Sequence, residues 1–443
     1  MSRYRVFLFA LLAVVVGLAL TAAGCGDDDK EATTGTATTT EEPKQVSGSI
    51  RVQAVWSGPE QKAFKAVLAG FKEKQPDVTV KYKSAGDQLP TVLSTAVEGG
   101  KPPDIAVLPQ PGLIKEFVGK DALQPLDFAK DAISANFSED WSKLGTQDGK
   151  LYALFFKGAN KSTIWYNTKI FEDAGVEPPK TIDELVEAAE TIKSSGTPAY
   201  SIGADVGWPL TDIFENIYLR QAGPEKYDQL AAHEIPWTDQ SVKDALAEMA
   251  KIVGDGDNLA GGTSGALQTD FPTSVSNAFG AKPKGAMVLE GDFVSGVITD
   301  STKSKPETDF NVFEFPSIND SGPAVVGGGD AVVMFKDSPA AQALIQYLAT
   351  PEAAEIWAKL GGFSSPNKNL DPAVYPDEIT RTTAAPLGKA ETFRFDMSDL
   401  QPAAFGGTAG QGMWKFFTDF LKDPKDIDGI ASKLEKAAAK AFK

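Results

Sequence analysis

Cysteine and histidine are almost missing from this chain. Its 443 residues contain one cysteine, Cys25, and one histidine, His233. One thiol cannot close an intramolecular disulfide, and one His with one Cys cannot supply the usual zinc ligand set. A catalytic triad would have to use His233, which sits between an expected helix and a turn and reads as a surface or capping residue. Positive charge is also short: 43 Lys and Arg face 60 Asp and Glu, a net charge of −17. Such a surface is a poor match for nucleic acid or anionic lipid, both of which need clustered cations to displace counterions. No G-x-S-x-G, Walker A or H-E-x-x-H sequence occurs. Gly254-Asp-Gly-Asp-Asn-Leu259 departs from a dinucleotide fingerprint at its sixth position and has no strand before it, so it reads as a polar loop. Asp426-Ile-Asp-Gly429 lacks the distal Glu of a calcium loop.

The N-terminus carries a different signal. Arg3 and Arg5 precede an apolar run from Val6 to Leu20, broken only by Gly17, and small residues lead on to Cys25. That is the layout of a secretory signal, and it is too short for a comfortable membrane span. Ala23-Gly24-Cys25 resembles a bacterial lipobox, so residues 1–24 are expected to be a lipoprotein signal peptide and Cys25 the lipidated first residue. Residues 26–46 are acidic, then Thr-rich, with no aromatic side chain. Such a segment cannot bury enough apolar surface to offset its ordering entropy. Residues 25–46 are therefore expected to be a disordered tether, its 21 residues after Cys25 reaching roughly 25 Å. An anchored, extracytoplasmic body is the implied arrangement, meeting the membrane through its lipid alone.

The rest alternates strand and helix. Ile50–Val55 has β-branched residues at period two, and Pro59 suits a helix first turn followed by Phe64, Val67, Leu68 and Phe71. A strand at Val78–Tyr82, a helix near Leu89–Val97 and a strand at Asp104–Leu108 complete a βαβαβ order. That order predicts a parallel sheet with helices on both faces and a ligand at the carboxyl ends of its strands. Those ends carry Trp56-Ser57-Gly58 and Pro109-Gln110-Pro111-Gly112. Farther on, Thr181-Ile-Asp-Glu184 forms a capping box. Residues 285–293 read as a buried strand with a turn at its end, 331–335 as a strand, and Ser338-Pro339 and Thr350-Pro351 as helix starts. Trp414 to Lys443 reads as helix with a break at Pro424.

Five blocks in order carry a resemblance. They are Pro103 to Leu113; Gly149 to Leu154 leading to Ile164-Trp-Tyr-Asn167; Phe171 to Gly175 with Pro178 to Leu185; Gly285-Ala-Met287 with Gly291-Asp-Phe293; and Gly327-Gly-Gly-Asp330 with the helix that follows. Together these resemble the family 1 extracellular solute-binding proteins of carbohydrate ABC transporters, over nearly all of residues 48–443. Trp56-Ser-Gly-Pro-Glu60, Pro109 to Gly112 and Gly327 to Asp330 look most like the α-glucoside-binding branch, which is maltose-binding-protein-like.

The resemblance implies an α/β, two-lobed periplasmic-binding-protein fold of the hinged type II kind, each lobe a sheet flanked by helices. By analogy, residues 47–157 with 318–366 form one lobe, and 158–317 with 367–443 the other. It implies a monomer that captures a small carbohydrate between its lobes and hands it to the transmembrane permease subunits of an importer, with no catalysis, cofactor or metal. Sugar sites combine aromatic faces for pyranose C–H surfaces with polar side chains for hydroxyls. On that basis the candidate ligand residues are Trp56, Glu60, Gln110, Lys157, Asn160, Trp208, Asp212, Glu290, Asp292, Phe293, Gly328, Asp330, Gln411 and Trp414. Trp165 and Trp357 read as core, and Asp104 as a cap on backbone amides. Three rival readings stay open: a same-fold binder of a non-sugar solute, a secreted glycoside hydrolase using Glu290 with Asp292, and a purely structural surface lipoprotein.

Overall fold

A computed structural model describes residues 45–388 and 390–443. The expected signal peptide, Cys25 and the tether through residue 44 lie outside the described residues. No helix among the described residues is long and apolar enough to cross a membrane.

The strands run in chain order as β1 (Gly48–Ala54), β2 (Val78–Ser84), β3 (Ile105–Leu108), the short hairpin β4 (Thr146–Gln147) and β5 (Lys150–Leu151), β6 (Ala153–Asn160), β7 (Thr163–Asn167), β8 (Met287–Leu289), β9 (Phe310–Glu314), β10 (Val325–Met334) and β11 (Phe393–Phe395). The first sheet has the order β11-β10-β3-β1-β2, with β6 added on β10. β1 follows the period-two rule, burying Ile50, Val52 and Ala54 while Arg51 stays exposed. β3 is buried along its whole length, as a central strand must be. The helix Gly58–Lys74 turns Ala63, Phe64, Val67 and Phe71 inward, where they join Trp56 and Trp357 in one apolar cluster.

The expected parallel sheet holds only in part. β1 pairs in parallel with β2 and β3, but β10 runs antiparallel to both β3 and β6. The reason is the chain path: β10 returns from the second sheet rather than through a local βα crossover, and such a return can enter in either direction. The second sheet is three antiparallel strands, β8-β7-β9. Its faces separate two cores, with Ile164 packed on one side and Trp165 on the other. Lys161 and Ser162 alone join β6 of the first sheet to β7 of the second, and the chain returns over residues 315–324. Helices surround both sheets. The capping box at Thr181 forms as expected, opening Ile182–Ser194, and the C-terminal helices Gly412–Lys422 and Ile427–Ala441 flank the break at Pro424.

A bulge shapes the site. In the β10–β6 pairing Asp330 faces Lys157, yet Ala331 faces Phe155, so Phe156 is the extra residue. Bulges of this kind re-aim side chains, and this one sets Lys157 opposite Asp330.

Candidate functional site

A cleft of about 190 Å³ opens at the carboxyl ends of β1 and β3. The first sheet and its connections supply Trp56, Glu60, Asp87, Gln110, Lys157, Gly329 and Asp330 to its wall. The opposite wall is Trp208, Asp212, Phe271, Phe293, Asp396, Ser398, Asp399 and Trp414. Lys161, in the link between the sheets, stands at the floor.

Two aromatic-proline pairs frame one wall. Gly207 takes φ 102°, and Trp208-Pro209 then opens the helix Trp208–Ala231. Phe271-Pro272 likewise opens Phe271–Phe279, with Asp270 capping the Thr273 amide at 2.7 Å. Trp208 stands 5.2 Å from Phe271 and 6.2 Å from Phe293, centroid to centroid. Trp208 is only partly buried, so this group offers an aromatic surface to the cleft. Trp208 and Asp212 both lie on this helix, whose proline fits its first turn.

Two buried lysines organise the acids. Lys157 Nζ lies 2.9 Å from Glu60 Oε1 and 3.6 Å from Asp330 Oδ2, and 5.0 Å from the centre of the Phe293 ring. Trp56 Nε1 donates to the same Asp330 oxygen at 2.7 Å. Lys161 Nζ pairs with Asp396 Oδ2, lies 3.2 Å from Asp212 Oδ1, and sits 5.7 Å from the Trp208 ring. Burial opposes the Asp396 charge, but Lys161 and the Ser398 hydroxyl hold its carboxyl below the usual range. Asp212 moves the other way. Its burial outweighs its share of Lys161, and its pKa is pushed up. Burial, reinforced by Asp396, also raises Asp399 well above the usual range.

Asp212, Glu215 and Asp396 bring three carboxylate oxygens within 4.8 Å of one another. Protein donors already fill most of that space. Glu215 accepts from the amides of Met397 at 2.7 Å and Ser398 at 3.0 Å and from the Tyr227 hydroxyl at 2.9 Å. Lys161 takes one oxygen each from Asp212 and Asp396. The trio therefore reads as the support of the 396–399 segment rather than a metal pocket.

Several buried polar atoms lack a protein partner. Among those on the cleft wall are Asp212 Oδ2, Gln110 Oε1 and Trp414 Nε1. An unsatisfied buried polar atom is costly.

Of the fourteen candidate residues, Trp56, Glu60, Gln110, Lys157, Trp208, Asp212, Phe293, Asp330 and Trp414 come together on the wall. Trp56 is fully buried against Phe64 and Trp357, so it supports the wall more than it presents a face. The other five do not line it. Asn160 spends its side chain on Thr383 O and the Ser162 amide. Asp292 accepts from the Asn160 amide and the Ser364 hydroxyl. Glu290 is buried off the wall, Gly328 gives way to Gly329, and Gln411 is exposed at a helix start. Trp165 and Trp357 are core residues, and Asp104 Oδ2 accepts from the Arg51 amide at 2.6 Å.

Sequence reasoning missed Lys161, Phe271, Asp396, Ser398 and Asp399. For Lys161 a signal existed. Alternation from Lys157 through Ala159 puts Lys161 on the cleft side and Asn160 on the other. Phe271-Pro272 repeats the Trp208-Pro209 pattern.

Two sheet-and-helix lobes, with a polar and aromatic cleft between them, define a solute-binding protein. Comparison with known proteins makes that specific. Residues 56–355 match the family described as bacterial extracellular solute-binding protein. The chain is 33% identical over 381 residues to the osmoprotective compounds-binding protein GgtB of Synechocystis sp., covering 84% of this chain and 88% of that one. It is 34% identical over 403 residues to the alpha-glucosides-binding periplasmic protein AglE of Rhizobium meliloti, covering 88% and 86%. The solved structure of the bacterial solute receptor AcbH superimposes with a TM-score of 0.79 at 20% identity, over 90% of this chain and 100% of that one. The chain belongs to the bacterial extracellular solute-binding protein family.

Proposed function

We propose that this protein captures a sugar, an α-glucoside or another small oligosaccharide, in the cleft and delivers it to the permease of an ABC importer. One observation carries the reading: the aromatic group of Trp208, Phe271 and Phe293 shares the cleft with Asp212, Gln110 and Trp414, whose side chains carry buried polar atoms that lack partners. Aromatic rings accept the C–H face of a pyranose, and the orphaned acceptors and donor match its hydroxyls. A relative named for α-glucosides supports the same class.

The lobes are 47–157 with 318–366, and 158–317 with 367–443. They close on the ligand about the segments that join the sheets, and the closed form docks on the permease as a monomer. Cys25 holds the protein by its lipid on the extracytoplasmic face after residues 1–24 are removed, and 25–46 tether it. No reaction is catalysed. Glu290, the acid that a hydrolase reading would use, lies off the cleft wall, which favours binding without turnover.

Thermal unfolding against maltose, trehalose, sucrose and xylose tests the sugar reading, because a ligand that binds only the folded chain raises Tm. At least one sugar is expected to do so. An unchanged Tm with all four at millimolar concentration would count against it. Cys25→Ser should release the protein from the cell surface, and retention of the variant at the membrane would refute the anchor.

A further inference from the structure

The cleft wall carries six carboxylates, Glu60, Asp87, Asp212, Asp330, Asp396 and Asp399, and two ammonium groups. Both ammonium groups are already engaged, Lys157 by Glu60 and Asp330 and Lys161 by Asp212 and Asp396. No unpaired cation therefore remains on the described wall to receive an anionic ligand. Unused acceptors do remain. Asp399 is 5% exposed and lines the cleft, and among the described residues its carboxylate has no hydrogen-bond or ion-pair partner. Asp212 Oδ2 has no protein donor either, its carboxyl lying against those of Glu290 and Asp396.

The position of Asp399 is built rather than accidental. Asp396 caps the short helix Met397–Leu400 by accepting from the Asp399 amide at 2.9 Å. Glu215, wholly buried, accepts from the Met397 and Ser398 amides behind it. The backbone is thus fixed on both sides while the Asp399 carboxylate is left toward the cleft. Burying a carboxylate without a partner is costly, and a ligand cation or donor would relieve it.

Resting on the sugar reading, we propose that the cleft selects its ligands by charge. It takes uncharged glycosides and, more tightly, glycosides bearing a protonated amine; it rejects carboxylate- and phosphate-bearing ones, with Asp399 as the discriminating group. An ammonium entering beside Asp399 and Asp212 forms an ion pair with them. Burial raises both carboxyls, so an ammonium that favours their ionised form is expected to release protons as it binds.

The test is calorimetric titration of the full protein with maltose and trehalose, and with the 2-amino-2-deoxy and 6-carboxylate analogues of each, in two buffers of different ionisation enthalpy. The expected order is amine tighter than neutral and carboxylate at least about tenfold weaker than neutral, with protons released only in the amine arm. Asp399→Asn should shrink the amine-to-carboxylate affinity ratio by about tenfold. Neutral binding without that order, or with no proton release on amine binding, overturns the charge inference and leaves the sugar reading standing. Failure of every compound, neutral ones included, overturns both. The buffer comparison on the unmodified protein decides the matter even if Asp399→Asn does not fold.

Discussion

Lys157 and Asp330 face each other across the bulge between β6 and β10, Nζ to Oδ2 at 3.6 Å, and Asp330 also accepts from Trp56 at 2.7 Å. One backbone irregularity thus joins the core of the first sheet to the wall of the cleft. Lys157→Met would leave Glu60 and Asp330 beside each other without a counter-charge. Removing one partner of a buried pair costs about 3 kcal/mol. Urea denaturation should show a loss of that order, and a variant as stable as the parent would contradict the assignment.

Trp208 and Trp56 line the same cleft but should respond oppositely. Trp208 is partly exposed, and its loss removes ligand contact more than core. Trp208→Ala should weaken sugar binding at least about tenfold, taking base-on-aromatic stacking of roughly 1–3 kcal/mol as the guide, with a small change in Tm. Trp56 is fully buried between Phe64 and Trp357. Trp56→Ala should cost about 3–5 kcal/mol of stability. Calorimetric binding beside thermal unfolding separates the two.

Stability should fall as pH rises from about 5 to 8. Burial pushes the Asp292 carboxyl up to about 6, against the Ser364 hydroxyl and Asn160 amide that favour its charge, and it raises Asp212, Glu290 and Asp399 as well. A carboxyl near 4 in the unfolded chain and higher in the folded one contributes fully below about pH 4. That contribution is lost as pH rises through the folded value. Asp396, held low beside Lys161, has the opposite sign, but its contribution is complete above about pH 4. Asp292→Asn should flatten the part of the slope between about pH 4 and 6. Urea denaturation at fixed ionic strength reads both effects, and stability that is flat or rises across this range would refute the account.

Gly207 sets where Trp208 begins its helix. Its φ is 102°, and a Cβ there would stand 2.2 Å from Trp414 O. Gly207→Ala must therefore both strain the backbone and push the helices bearing Trp208 and Trp414 apart. A loss of about 1–3 kcal/mol in stability is expected, together with weaker sugar binding. Unchanged unfolding would show that the two helices do not need this close approach.

Much of the fold is legible in the sequence because its determinants are local. Period-two apolar residues mark β1, and Thr181 with Glu184 marks a helix start. The antiparallel entry of β10 is not legible, since nothing within that strand records the direction from which the chain returns. The site divides on similar lines. Residues at the carboxyl ends of β1 and β3 fall on the cleft wall because the topology of an open sheet puts ligands there. Asp396 and Asp399 escape because they arrive on a four-residue helix more than 230 residues from Lys161, with no periodic pattern around them. Residue type alone does not separate Asn160 from its neighbour Lys161; strand alternation does, putting Lys161 on the cleft side. Glu290 and Asp292 have the right chemistry, but the structure turns them into the protein interior.

The most direct measurement is calorimetric titration of the folded protein with maltose, trehalose, sucrose and xylose. The account predicts saturable, one-to-one binding of at least one of them, weakened at least about tenfold by Trp208→Ala. A folded protein that binds none of the four, or one whose affinity is unaffected by loss of Trp208, would contradict it.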